Sequence, residues 1–361
     1  MHFKIVIILM FSFLFNQSLL NRALGEQQLF GDARSYAMGF SYSINTQNSS
    51  LIRYNPSLIG MQIKNNSFSF DFQGNATFIK ERRSILVKDY FGDFLTYADY
   101  VNNDNKYTNF QLGAMKNISD NISVGFAMLP LASFSYNYIE EIRGSASVEE
   151  GDVGFKDPLV GYHVFDTNGK LNTLSSGLSF NVDNLNIGFG YHKIMSSTIT
   201  DDIHVDSLTT EIENISLVSD YYEIQKYDDL KGEYYSLGIS LKTNELLIAL
   251  AFESDILIGD KTDYFNFENG AISYFNDDFT VFNPLSIHHY KPEKLFLGLS
   301  YNPINNRSLT VGAELEINST YYNNNNLKDY KVYKLGFEYM LPSHIPIRGG
   351  LAYQTSAISL I

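Results

Sequence analysis

The sequence predicts an all-β protein whose strands form a transmembrane antiparallel β-barrel. Three observations carry this prediction. The chain opens on a short apolar run that reads as an export leader. From about residue 105 onward, apolar and polar residues alternate with the period of two that marks strands. The strand-like segments come in pairs around tight polar turns, and the pairs are joined by long polar connections, the asymmetry of an outer-membrane barrel.

Composition narrows the function classes. The 361 residues are 44% hydrophobic, which excludes a disordered or fibrous chain. Charged residues make up only 18%, while aromatics reach 15% as 26 Tyr and 27 Phe with no Trp, a mixture unusual for a soluble enzyme. A net charge of -14 argues against a nucleic-acid partner, whose phosphate backbone needs a basic surface. With no Cys there are no disulfides, zinc–thiolate sites, iron–sulfur clusters or thiol nucleophiles, and export meets no redox hazard.

Taken in order, Lys4 precedes the apolar run Ile5 to Phe15, and Ala23 and Gly25 form a small-residue cleavage site before Glu26. Residues 1–25 are therefore read as a signal peptide. The run is shorter than the roughly 20 residues a spanning helix needs, and no later stretch reaches that length. Membrane residence then requires a barrel, which satisfies every backbone polar group within its own ladder.

Residues 26–65 do not read as strands, and Asn55-Pro56 marks a local stop, because Pro56 has no amide for a ladder and Asn before Pro favours a turn. Residues 66–361 read as barrel. A strand over Asn66 to Gly74 and a weaker one over Thr77 to Val87 lead into five hairpins. These run Phe110 to Lys116 and back from Ile122, Leu174 to Asn181 and Leu185 to His192, Tyr234 to Lys242 and Glu245 to Glu253, Leu295 to Asn302 and Leu309 to Ile317, and Tyr333 to Met340 and Ile345 to Tyr353. The connections Tyr138 to Asn172, Ser197 to Glu233, Asp255 to Glu293 and Asn318 to Tyr330 read as long outside loops.

Alternation separates two faces. Leu178, Phe180, Ile187, Phe189, Leu237, Ile239, Leu241, Ile248, Leu250, Leu297, Leu299, Leu335 and Phe337 share one and are expected to meet lipid. Ser179, Asn186, Gly188, Gly190, His192, Ser236, Gly238, Ser240, Glu253, Glu314, Glu316, Lys334, Glu338 and Arg348 share the other and are expected to line the lumen. The glycines among them read as relief for curvature, and Tyr191, Tyr301, Tyr339 and Tyr353 as an interfacial girdle. The chain closes on Ser356 to Ile361 without a terminal aromatic, so a barrel lacking its last strands is expected, with an even 12-stranded barrel the other option.

Two motifs carry a resemblance. Gly31-Asp32-Ala33-Arg34 runs into Met38-Gly39 and then Asn55-Pro56-Ser57, and Gly125-Phe126-Ala127-Met128-Leu129-Pro130 is followed by Tyr136. The chain thereby resembles the FadL-type outer-membrane transport family and the related PorV-type proteins, with Ser57, Leu131 and Ala132 departing from the family pattern. The resemblance implies a 14-stranded barrel whose N-terminal segment, 26–65, folds back as a plug, with Arg34, Met38, Gly39, Asn55 and Pro56 as its motif. It implies a kink in the strand that carries Gly125 and Pro130, opening the wall sideways. Pro130, lacking an amide, breaks a ladder on its own account, and the carbonyls it leaves need a partner from the plug or from lumenal water; the other reading sets Pro130 above the membrane, where the strand extends into the outside loop, since it stands near the ~9–11 residue limit of a spanning strand.

The function expected is an outer-membrane channel for hydrophobic small molecules such as long-chain fatty acids, with the ligand and outer-membrane lipid as partners. The alternative implied is a PorV-type shuttle or scaffold of a type IX secretion system, whose partner is secreted cargo. Lys334 and Arg348 are candidates to hold a ligand carboxylate, although Glu314, Glu316 and Glu338 on the same face predict a salt-bridge ladder instead. No catalytic residue, metal site or cofactor is expected. His163, His192, His204, His288, His289 and His344 stand beside no nucleophile motif, and the acids Asp201, Asp202 and Asp206 match no compact calcium loop.

Overall fold

The computed structural model describes residues 26–27, 31–63, 67–88, 91–143, 159–207, 222–258, 290–319 and 328–356. The signal peptide expected over residues 1–25 and the chain end at 357–361 lie outside them, as do His288 and His289. The strands are β1 (Glu26–Gln27), β2 (Phe68–Lys88), β3 (Phe94–Ser119), β4 (Ile122–Ser133), β5 (Tyr136–Arg143), β6 (Leu159–Val182), β7 (Leu185–Ile194), β8 (Ser197–Ser207) and β9 (Tyr222–Leu230). They continue as β10 (Glu233–Lys242), β11 (Leu246–Glu253), β12 (Ile256–Leu257), β13 (Tyr290–Lys291), β14 (Lys294–Tyr301), β15 (Leu309–Asn318), β16 (Tyr330–Met340) and β17 (Pro346–Gln354). Between β1 and β2 lie short helices α1 (Ala33–Ala37), α2 (Tyr42–Asn45), α3 (Leu51–Tyr54) and α4 (Ile59–Gln62), with a 3-10 turn at Pro56–Leu58. No helix among the described residues is long and apolar enough to cross a membrane.

Among the described residues fifteen strands form one antiparallel sheet, in which most strands pair with the next along the chain, while β4 also pairs with β6, β7 with β10 and β11 with β14. This is the up-and-down order of an outer-membrane barrel, set by the tight turns at 120–121, 183–184 and 243–245. Register is fixed by alternation, since a slip of one residue would turn every lipid-facing side chain inward. The outer face is as expected: Leu237, Ile239 and Leu241 are 45–50% exposed, while Ser236 and Ser240, which alternate with them, are fully buried. Among the described residues β2 pairs only with β3, and β17 only with β16.

Two expectations need correction. The strands expected over 66–74 and 77–87 are a single strand, β2, paired throughout with β3. The connections expected to be loops are in part strand: β5 and the first half of β6 pair with each other, β8 pairs with β6 and β9, and β12 pairs with β13. These extensions carry polar residues on both faces, as in Thr200-Asp201-Asp202, so period two is invisible in them, and ladder pairing alone keeps them extended.

Residues 31–63 fill the sheet's inner side. Asp32 caps α1, its Oδ1 accepting from Ser35 N at 2.7 Å while Ser35 Oγ accepts from Asp32 N at 3.0 Å. Leu51, Ile52, Leu58, Ile59 and Ile63 form one buried cluster with Met115, Ala127 and Leu129 of the wall. Tyr42 and Tyr54 stack at 4.9 Å and pack with Ala251 and Phe296. The inner-face glycines, read from sequence as curvature relief, have a more specific cause. A Cβ on Gly188 would lie 2.2 Å from the backbone of Pro56 and Ser57. The missing side chain is the space in which the plug's backbone sits.

Candidate functional site: the lumen above the plug

The plug motif is a set of contacts with the wall. Arg34 donates through Nε to Glu338 at 3.1 Å and through Nη1 to Asn45 O at 3.0 Å. Gly39 has φ +73, a conformation that glycine adopts freely, and a Cβ there would meet the carbonyls of Leu335 and Leu351 at 2.6 and 2.7 Å. Met38 is fully buried beside it. Asn55 donates to Ser43 O at 2.9 Å, and its Oδ1 accepts from Ser57 Oγ at 2.6 Å. Pro56 opens the 3-10 turn that lies across β6, β7 and β10. Ser57, a departure from the family pattern, uses its hydroxyl here: Ser240 Oγ lies 3.0 Å away, on the inner face of β10.

One plug residue reaches a different chemistry. Arg53, 3% exposed, forms a two-pronged ion pair with Glu253, 1% exposed, at 2.6 and 3.0 Å. Its guanidinium lies 5.5 and 5.9 Å from the rings of Tyr54 and Tyr234. Burial disfavours the guanidinium's charge, but the Glu253 carboxylate outweighs it and holds Arg53 well above its ordinary range. The third arm, Nη1, donates to the carbonyl of Pro130 at 3.4 Å.

Beside this pair His192 stacks on Tyr234 at 4.3 Å, with Ser175 Oγ 2.8 Å from Nδ1 and Ser236 Oγ 3.0 Å from Nε2. Ser236 gives its own proton to Ile52 O at 2.7 Å. It can therefore only accept from His192, which places a proton on Nε2; in the neutral ring Nδ1 then accepts from Ser175. The Ser236 hydroxyl is thereby spent on the plug's backbone.

Pro130 marks a break in the wall. β4 pairs with β3 from Ile122 to Met128 and no further, and β3 next meets the wall at Val101, opposite Glu140 of β5. Against β6 the register shifts between Pro130 and Ala132. The carbonyls at the break are satisfied from inside, Leu129 O by Thr173 Oγ1 at 3.1 Å and Pro130 O by Arg53, as a low-dielectric setting demands. β1 lies along the freed edge, with Glu26 and Gln27 opposite Ser133 and Ala132. Counting eight residues from Ile122 at ~3.3 Å each, with a tilt of ~45°, puts Pro130 roughly 19 Å from the tight turns, inside an apolar band ~25 Å tall. Gly125 lies outside this window: it is paired on both sides, with Met115 and Gly177, under Ile52 of the plug.

Above the Arg53–Glu253 pair the lumen turns apolar. Leu131, Ala132, Phe134, Leu171, Ile194, Ile199, Leu230, Tyr234, Ile256 and Ile258 form one buried cluster at the level of the break. Sequence reasoning missed this apolar cluster, the cup of the proposal below, although a signal was there. Ile194 continues the parity of Asn186, Gly188, Gly190 and His192, so the lumenal face of β7 switches from polar to apolar at its far end.

Lys334 and Arg348 lie elsewhere. Lys334 donates to Glu314 at 2.8 Å and Glu316 at 2.6 Å, and Arg348 donates to Glu338 at 2.6 Å, the carboxylate that Arg34 also holds. Glu314 in turn accepts from Ser43 N and Oγ at 2.8 and 2.6 Å. Both cations belong to a ladder that fastens α1 and α2 to β15, β16 and β17. The acids read as loop residues sit on β8, where Asp201 accepts from Thr167 Oγ1 at 2.6 Å.

No protein-family model matches the sequence, and no curated protein matches it. Solved structures match by fold. A FadL homologue of Pseudomonas aeruginosa aligns over 93% of this chain and 82% of its own, with TM-score 0.54 and 13% identity. The toluene transporter TodX of Pseudomonas putida aligns over 93% and 86%, with TM-score 0.55 and 14% identity. The toluene transporter TbuX of Ralstonia pickettii aligns over 91% and 87%, with TM-score 0.50 and 14% identity. The chain thus has the fold of the FadL-type outer-membrane barrels, the resemblance that its motifs suggested.

Proposed function

We propose that the protein is an outer-membrane channel that takes hydrophobic small molecules into the apolar cup and releases them sideways through the window between β3 and β4. The observation that carries this reading is the coincidence of the two features: Leu131, Ala132 and Phe134 belong both to the cup and to the stretch of β4 and its exit where the ladder with β3 has ended. A ligand held there passes into lipid without crossing water, and the plug closes the alternative route below it. The transporters of like fold support an apolar substrate, and nothing in the lumen among the described residues favours the secretion-component reading.

Long-chain fatty acids and compact hydrocarbons both fall within the proposed class. Because Lys334 and Arg348 are neutralised by Glu314, Glu316 and Glu338, an acyl chain's fit to the cup, rather than its carboxylate, is expected to govern binding. Since the chain has no native Cys, the test is a pair of cysteines, Asn109→Cys and Leu131→Cys, bridged across the window through two disulfides by a short bis-methanethiosulfonate. Uptake of toluene or a labelled fatty acid into proteoliposomes should fall at least tenfold on bridging and recover on reduction. Equal uptake in both states rules out the lateral route.

A further inference from the structure

One side chain reaches across the window beside β1. Lys170 of β6 reaches past the kinked part of β4 and donates its Nζ to the backbone carbonyl of Thr108 on β3, with Thr108 Oγ1 3.4 Å away. Thr108 lies in the stretch of β3 between Val101 and Leu112 that pairs with neither β4 nor β5. The ammonium thus replaces a missing ladder partner, through a charge-assisted bond. At its root Lys170 is fixed twice: it is the register partner of Ser133, and its carbonyl accepts from Ser197 Oγ.

The side of the wall is set by parity. Lys170 alternates with buried Leu171 and shares parity with Leu174, which is 61% exposed, while Thr108 shares parity with Phe110, 58% exposed. The strut therefore lies on the lipid side. Ser133, its cross-strand partner and hence on the same face, is only 1% exposed, so this face of the break is covered. Twelve residues from Val182 at ~3.3 Å and a ~45° tilt put Lys170 roughly 28 Å from the tight turns, at the outer rim of the apolar band.

We infer that Lys170 is the bolt of the lateral window, a positioning residue that ties β3 to β6 across the kink and fixes the width of the gap. The inference rests on the reading of that gap as the ligand's exit. A lysine at this height could instead only extend its charge to lipid headgroups. The two roles differ in what happens to the gap when the ammonium is removed.

The experiment places a reporter under the bolt, Ser133→Cys as the only thiol in the full chain, and measures its reaction with N-ethylmaleimide in outer-membrane vesicles. Adding Lys170→Met should raise the labelling rate by about tenfold to a hundredfold, the range expected on losing one charge-assisted hydrogen bond. Lys170→Arg, which still reaches the carbonyl, should restore protection. Should the Met variant fail to assemble, Lys170→Gln serves, since it stays polar at the interface but is too short to reach Thr108. An unchanged labelling rate in the Met or Gln variant overturns the inference, whatever happens to uptake. Uptake of toluene is measured on the same vesicles: faster labelling without faster uptake upholds the bolt and defeats the lateral exit.

Discussion

The Arg53–Glu253 pair is the contact whose loss should most change the plug. Replacing Arg53 by Met leaves a carboxylate with 1% exposure and no guanidinium, and removes the donor to Pro130 O. Stripping one partner from a buried pair costs about 3–5 kcal/mol. The lower end applies here, because Lys294 is the register partner of Glu253 on the next strand and can take up part of its charge. About 3 kcal/mol is a shift of roughly a hundredfold in the equilibrium between docked and released plug, at about 1.4 kcal/mol per factor of ten. The double variant Arg53→Met/Glu253→Leu removes both charges and should recover most of the loss, since an apolar pair of similar volume is often neutral against a buried ion pair. The assay is hydrogen exchange of a peptide covering residues 51–58, whose amides Tyr54 and Asn55 donate to Ser50 O and Leu51 O within the plug. Exchange should speed up by about two orders of magnitude in the single variant and return to within tenfold of the parent in the double. Equal protection in parent and single variant would refute the reasoning and leave the plug held by the apolar packing of Leu51, Ile52 and Leu58 alone.

Two further outcomes follow from the same geometry. Gly39→Ala puts a methyl group against the carbonyls of Leu335 and Leu351 at a positive φ; it should lower the thermal midpoint of the folded barrel by an amount equivalent to about 1–3 kcal/mol, read by heat-modifiable gel mobility. Replacing Lys334 and Arg348 together by Gln should weaken the docking of α1 and α2 while leaving fatty-acid affinity within threefold of the parent; a loss of affinity with unchanged plug exchange would show that these cations hold the ligand after all.

The faces of the barrel could be read from the sequence because lipid and lumen impose opposite demands on neighbouring residues, and a period of two records them directly: Leu237, Ile239 and Leu241 against Ser236, Gly238 and Ser240 needed no coordinates. Tight turns and the absent amide of Pro130 were equally local facts. What the tertiary structure decided were the pairings that carry no local signature. Arg53 and Glu253 are 200 positions apart, Lys170 and Thr108 are 62 apart, and in the sequence each is one charged or polar residue among many. The polar halves of β6, β8 and β9 were hidden for a related reason: polar residues stand on both faces there, as Asp201 and Asp202 do, which removes the alternation, and the neighbouring strand keeps them extended. The cup lies between these cases. Its parity was written in Ile194 after His192, but that the apolar ends of β4, β6, β7, β9 and β12 meet at one height, beside the break at Pro130, depends on stagger between strands, which no single strand encodes.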